Sequence, residues 1–188
     1  RLGDRIGTLA WNTHRHLECW FGISGMGAVT HTINPRLFDE QIVYIINHAE
    51  DRILFFDLQF LPIIERLAPQ LPKVEAYVLL CGREHMPAQS SVPLLCYEDI
   101  LKGHDPDYDW PDFPETTPSG LCYTSGTTGN PKGVLYSHRS TILHTMGANS
   151  ADALAITTRS VVLPIVPMFH ANAWGIAHTA AACGAKLI

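Results

Sequence analysis

Four short strand-like segments mark the first 81 residues: the runs Ile6 to Trp11, Ile53 to Phe56 and Ala76 to Cys81, and Ala28 to Ile33, which is rich in β-branched residues. Ile53 to Phe56 lacks the apolar–polar alternation of a strand with one wet face, and Ala76 to Cys81 reads as another buried strand. Runs of this kind suit strands covered on both faces. The segments between them have helical spacing. Asn12 or Thr13 can cap a helix carrying Leu17, Trp20 and Phe21. Asn34-Pro35 offers a cap with proline at the first helical position, and Asp39-Glu40 suit the first turns. Phe38, Ile42, Ile45, Ile46 and Ala49 then fall on one helical face. Leu61, Ile64, Leu67 and Ala68 mark a further helix. This alternation predicts an α/β fold with a largely parallel sheet and helices packed against it.

Residues 82–118 interrupt the pattern. They hold six of the 13 prolines, and from Glu98 to Glu115 seven acidic residues face a single Lys102. The segment reads as a surface excursion within one domain, with a short helix at Tyr97 to Leu101. Regular structure resumes at Leu121-Cys122-Tyr123. A helix around Ser140 to Ala155, an apolar strand-like run from Val161 to Val166 and an apolar helix ending near Gly184 complete the pattern.

Composition excludes several classes. The formal net charge is −5 and no basic run stands out, which argues against a nucleic-acid partner. The five cysteines form no CxxC pair and read as reduced thiols of a cytoplasmic protein. The most apolar stretch, from Val161 to Ile188, is broken by Pro164, Pro167, His170, Asn172, His178 and Lys186. A transmembrane segment is therefore not expected.

Chemistry concentrates in one loop. From Thr124 to Gly133 the sequence places four hydroxyl side chains, three glycines and one lysine within ten residues. Glycine allows backbone N–H groups to approach an anion closely. Hydroxyls donate to phosphate oxygens, and lysine adds a mobile positive charge. A Walker-type loop needs glycine before the lysine, Ser or Thr after it, and then a helix. Here Pro131 precedes Lys132, Gly133 comes after it, and Val134-Leu135-Tyr136 continues as a strand. The lysine therefore belongs to a strand–loop–strand connection.

The ordered segment Tyr123-Thr124-Ser125-Gly126-Thr127-Thr128-Gly129-Asn130-Pro131-Lys132-Gly133 resembles the phosphate-binding loop of the adenylate-forming (AMP-binding) superfamily. The likeness also covers Gly3 to Arg36 and continues through Tyr136-Ser137-His138-Arg139. By that resemblance Ser125, Thr127, Thr128 and Lys132 hold the β- and γ-phosphates of ATP, with Gly126 and Gly129 shaping the loop. Thr124 sits near the magnesium ion, and Lys132 takes part in catalysis.

A second segment, Pro167-Met168-Phe169-His170-Ala171-Asn172-Ala173-Trp174, lies about 40 residues after the loop. On its own, a histidine beside apolar residues reads as a satisfied core histidine. The family carries an aromatic–His motif at this place, which puts His170 beside the substrate carboxylate and the reacting phosphate. If the chain is helical from Phe169, His170 and Trp174 share a face. Trp174 then lines an acyl channel, with core packing as the other reading. The segment is similar to the medium- and long-chain fatty acyl–CoA synthetase branch. His14 and His16 make a poor metal pair. His138 and Arg139 offer either positive charge near the loop or solvated strand ends, and His144 and His178 serve packing or surface.

The resemblance implies ATP-dependent activation of a fatty carboxylate to an acyl-adenylate, then transfer to coenzyme A. It implies ATP, magnesium and coenzyme A as ligands and leaves a homodimer open. It also implies that residues 1–188 are an incomplete part of the large N-terminal domain. The adenine-binding segment, the acidic residue sharing magnesium, the ribose-binding aspartate and the C-terminal domain with its adenylation lysine are then missing. The isolated chain is expected to be inactive. An adenylation domain for amino or aryl acids, or a noncatalytic fragment, are the alternatives.

Overall fold

A computed structural model describes residues 1–124 and 129–188. The first half has the expected alternation: β1 (Arg5–Leu9), α1 (His14–Gly25), β2 (Val29–Thr32), α2 (Asp39–Ala49), β3 (Ile53–Phe56), α3 (Leu61–Leu67) and β4 (Ala76–Leu79). Then come β5 (Leu94–Cys96), α4 (Tyr97–Leu101), β6 (Pro118–Thr124), β7 (Lys132–Ser137) and α5 (His138–Ala148). The chain closes with β8 (Val161–Val162), α6 (Ile176–Cys183) and β9 (Lys186–Leu187).

Among the described residues, β1 to β7 form one sheet in the order β5-β4-β3-β1-β2-β6-β7. Every pairing is parallel except that of β6 with β7. A period of two along each strand sends alternate side chains to opposite faces. Leu9, Leu54, Phe56, Tyr77 and Leu79 meet Ile42, Ile45, Ile46 and Ile64 of α2 and α3 on one face. Ile6, Ala10, Val78 and Leu80 meet Cys19 and Ile23 of α1 and Tyr97 of α4 on the other. Strands buried on both sides explain why the sequence runs lack alternation.

The first helix cap is one of the two expected, and several later boundaries differ from the sequence expectation. Thr13 caps α1, its hydroxyl accepting from the His16 N–H at 3.2 Å. Asn34-Pro35 opens a turn instead of a helix, because the Asn34 side chain accepts from the Arg36 N–H at 2.9 Å. The next helix starts at Asp39, and Gln41 accepts from the backbone N–H of Phe38 at 3.2 Å. Phe38 thus lies outside the helix and is 76 % exposed, while Ile42, Ile45, Ile46 and Ala49 are buried as expected. Within residues 82–118 the helix at Tyr97–Leu101 is present, and an additional strand, β5, pairs in parallel with β4. Three strand residues beside a serine- and proline-rich stretch give too short a pattern to detect in the sequence.

The helix expected to reach Ala155 stops at Ala148. Ser137 and Ser140 close its N-terminus reciprocally, each hydroxyl accepting from the other's backbone N–H at 3.1 and 3.0 Å. Of the run Val161 to Val166 only Val161–Val162 is strand, paired with β9, since Pro164 cannot donate to a continuing ladder. No helix among the described residues is long and apolar enough to cross a membrane. All five cysteines are free, and four of them are buried.

Candidate active site at the carboxyl end of the sheet

β6 and β7 form the hairpin that carries the expected phosphate loop. Thr124 pairs with Lys132 as the last rung, and Tyr123 pairs with Gly133 in the rung before it. The Thr124 hydroxyl donates to the Lys132 carbonyl at 3.4 Å, so the two ends of the loop are tied together. Lys132 is exposed and makes no ion pair among the described residues. Gly129 has φ of +86°, a left-handed conformation that a residue with a Cβ adopts at a cost. Ser125, Gly126, Thr127 and Thr128 lie outside the described residues. The strand–loop–strand context read from the sequence is therefore present, and Lys132 itself begins a strand, not a helix.

Tyr123 anchors the hairpin from below. Its hydroxyl stands 2.7 Å from Nδ1 of His48 on α2, and its ring lies 5.1 Å from that of His31 on β2. Burial, helped by the nearby Asp51 charge, pushes the phenol up to about 12, so it remains protonated at neutral pH.

The second segment reaches the same end of the sheet by way of Asn12. Its amide donates to the Pro164 carbonyl at 2.7 Å and to the Val166 carbonyl at 2.9 Å, and its Oδ1 accepts from the Met168 N–H at 2.7 Å. One side chain just past the end of β1 thus satisfies three backbone groups of a segment more than 150 residues later. Trp11 adds an aromatic contact, its ring 5.6 Å from that of Phe169. Met168, Ala173 and Ala177 pack with Trp20 of α1. The sequence suggests only a capping role for Asn12; the Asn-Thr pair admits two uses, and only the fold separates them.

His170 is exposed, with extended backbone (φ −112°, ψ 114°). Phe169 does not open the expected helix. Ala171, Asn172, Ala173 and Trp174 all have φ between +43° and +56°, and Gly175 has +69°. His170 and Trp174 therefore do not share a right-handed helical face, and their i, i+4 relation fails. Four non-glycine residues in the left-handed region cost free energy. Here α6 starts only at Ile176. Trp174 is 68 % exposed and borders a cavity of about 620 Å³ with Tyr136, Thr141, His144 and Leu154. A smaller cavity of about 220 Å³ reaches Thr30, Thr32 and Ser119 of the sheet. Thr141, Asn172 and His178 line both.

The remaining histidines fall as the sequence suggests or closer to the core. His16 is fully buried, its ring nitrogens 2.9 Å from the Trp11 carbonyl and the Thr8 hydroxyl. Burial lowers it to about 4. His178 sits against the rings of Trp20 and Phe21 and is likewise lowered to about 4, by burial and then by the charges of His138 and His144. His138 begins α5 against Phe113, and Arg139 pairs with Glu115. Among the described residues no group of three His, Cys, Asp or Glu side chains could hold a metal ion.

Comparison with known proteins gives a consistent picture. The AMP-binding enzyme family matches residues 1–188. The chain is 55 % identical over 185 residues to a 3-methylmercaptopropionyl-CoA ligase of Ruegeria pomeroyi, covering 98 % of this chain and 34 % of that protein. It is 54 % identical over 185 residues to a medium-chain-fatty-acid–CoA ligase of Ectopseudomonas oleovorans, with the same coverage. The chain therefore spans about a third of the length of these relatives. Its fold superposes on the N-terminal domain of FACL13 from Mycobacterium tuberculosis with a TM-score of 0.83 at 24 % identity, covering 100 % of this chain and 44 % of that one.

Proposed function

The chain belongs to the AMP-binding enzyme family, and from that premise we propose that its parent protein activates a fatty or similar small aliphatic carboxylate with ATP and passes it to coenzyme A. The observation that carries this reading is the β6–β7 hairpin, which presents Thr124 and Lys132 on one rung at the carboxyl end of a parallel sheet. Ligands of open α/β sheets bind at this end. The names of the relatives support a CoA ligase and include both a medium-chain and a sulfur-bearing acyl group.

In this reaction the carboxylate oxygen attacks the α-phosphorus of ATP, and the bond to the β-phosphate bridging oxygen breaks. Acyl-adenylate and pyrophosphate result. The thiol of coenzyme A then attacks the acyl carbon, loses its proton and releases AMP. Lys132 places a positive charge where the departing pyrophosphate gains negative charge, and Ser125, Thr127 and Thr128 add hydroxyl donors. His170, exposed and two residues beyond the segment that Asn12 clasps, orients the carboxylate. Trp174 borders the cavity that receives the acyl chain.

The residues present fit magnesium only in part. Thr124 supplies one neutral oxygen, as expected for an ion that keeps water and substrate phosphates as its other ligands. Bound there, magnesium would offset charge on the phosphates.

The isolated 188-residue chain we read as catalytically silent. Leu135, Ile142, Leu143 and Met146 are each more than half exposed on the β7–α5 flank, an apolar surface expected to be covered in the complete enzyme. The test is carboxylate-dependent ATP–pyrophosphate exchange by the full-length parent, beside the 188-residue chain. Fatty acids of graded length, 3-methylmercaptopropionate, amino acids and aryl acids are compared. Exchange with aliphatic acids supports the reading and its optimum defines the substrate. Exchange only with amino or aryl acids moves the protein to another branch, and turnover by the short chain overturns its silence.

A further inference from the structure

The fold buries an ionisable pair that the proposed chemistry does not use. His31 of β2 and Asp51, between α2 and β3, lie with Nδ1 and Oδ2 2.6 Å apart, and neither side chain is exposed. Their far atoms, His31 Nε2 and Asp51 Oδ1, have no hydrogen-bond partner among the described residues. A buried pair of this kind is weak evidence for stability, because desolvation offsets the attraction, and apolar residues commonly do as well. Burial holds the Asp51 carboxyl above its usual range, opposed by His31.

The surroundings are shaped to keep the pair. Gly7 on β1 stands in register with His31, and a Cβ there would meet Leu54 Cδ2 first, at 2.3 Å, and then Asp51 Oδ2 at 3.0 Å and Ile33 at 3.1 Å. Beyond His31 lies the Tyr123 ring, 5.1 Å away. Tyr123 is also held through its hydroxyl by His48, which stacks on Tyr44 at 5.3 Å. Across the hairpin a Cβ on Gly133 would sit 3.3 Å from the Tyr123 ring, so that glycine gives the ring its room. The next rung is Thr124 with Lys132.

We propose that the buried His31–Asp51 pair is a positioning device for the phosphate loop. It fixes the His31 ring against Tyr123, and the Tyr123–Gly133 rung sets where Thr124 and Lys132 stand. An imidazole torsion is broad and nearly two-fold when free. One directional bond to Asp51 selects a single ring orientation, which an aliphatic residue at position 31 would not do. Both restraints on Tyr123, Asp51 through His31 and His48 directly, come from α2 and the residues just after it. The hairpin is thereby referred to the centre of the sheet. The proposal rests on the reading that Lys132 binds the phosphates of ATP.

The test uses the full-length parent and separates ATP from acid. Asp51→Asn and Tyr123→Leu are expected to raise both the KM and the Kd for Mg·ATP about tenfold, with the KM for the carboxylate within about twofold of the parent. Combined, the two substitutions should give little more than either alone, since they act through one path. His31→Leu with Asp51→Val removes the pair together and avoids a lone buried charge. It should melt near the parent temperature yet keep the weakened ATP binding, a split that a merely structural role would not produce. Parent-like ATP affinity in Tyr123→Leu or in the double variant overturns the proposal. So does a parallel loss of affinity for ATP and acid. Calorimetric ATP binding keeps the two readings apart. A parent that binds Mg·ATP but exchanges with no acid refutes acid activation alone, and one that binds no Mg·ATP refutes both.

Discussion

The two flanks of the sheet are built differently. On the β1–β5 side the strands β1, β3 and β4 are covered on both faces, and Phe56, Ile42, Ile45, Leu54 and Leu79 are almost wholly enclosed. On the β7–α5 side Leu135, Ile142, Leu143 and Met146 face solvent, and the only buried residue of α5 is Thr145. The first flank closes its own core. The second carries Lys132, His170 and Trp174, and its apolar surface has no cover among the described residues. Stability and the proposed chemistry thus fall on different sides of one sheet, and that division can be tested from both.

Stability should respond first and most strongly. Phe56→Ala empties a closed site and is expected to cost about 3–5 kcal/mol in denaturant unfolding of the chain. Met146→Ser, on the open flank, should stay within about 0.5 kcal/mol. Equal losses at the two positions would mean that the flank shares the core and would erase the contrast.

Activity should show the reverse. Lys132→Ala in the full-length parent is expected to slow pyrophosphate exchange about 10²–10³-fold, roughly 3–4 kcal/mol of transition-state stabilisation, with the melting temperature unchanged. The side chain is exposed and makes no ion pair among the described residues, so nothing structural is lost with it. A rate within about threefold of the parent would remove the hairpin from the mechanism.

Acid probes both sides at once. The unfolded chain protonates its imidazoles near pH 6.5, whereas His16 in the first flank and His178 in the second do so only near 4 when folded. Between those values the unfolded state binds more protons, so stability is complete above pH 6.5 and falls as pH drops towards 4. The loss is at most about 3 kcal/mol for each group. His16→Gln should flatten the pH dependence of the core transition, and His178→Phe that of the flank. A transition that keeps its full acid slope in the double variant would assign the effect to carboxylates instead.

What is legible in the residues divides along the same line. The strands β1 to β4 and their helices can be read because short strand-like runs and helical spacing repeat several times, and each repeat reinforces the next. The proposed phosphate loop stands out because its glycines, hydroxyls and lysine form one long ordered motif, and the hairpin on either side of it is present. The features that escape depend on contacts distant in sequence or on conformations without a local signal. Asn34 looks like a helix cap, but its side chain closes a turn on Arg36, and nothing local distinguishes the two. The i, i+4 relation of His170 and Trp174 fails because the chain turns left-handed from Ala171 to Gly175, where alanine, asparagine and tryptophan give no signal for positive φ. His31 and Asp51, twenty residues apart, become a pair only when β2 and the start of β3 are brought to either side of Gly7.

The smallest expected effect tests the link between the flanks. Asn12 belongs to the closed side, yet its three hydrogen bonds all go to residues 164–168, just before His170. Such bonds contribute about 0.5–1.5 kcal/mol each, and the freed backbone groups are only partly buried and can turn to water. Asn12→Ala should therefore cost about 2 kcal/mol, at the lower end of the sum. Its character should differ from that of Phe56→Ala: amide exchange ought to rise at Val166 and Met168 while Ile45 and Phe56 keep their protection. In the parent enzyme the same change should raise the KM for the carboxylate more than that for ATP, because it loosens the segment carrying His170 and leaves the hairpin alone. Uniform loss of protection across the sheet would mean that Asn12 supports the whole fold. Unchanged exchange at 164–168 would mean that Trp11 and the Met168 cluster hold the segment without it.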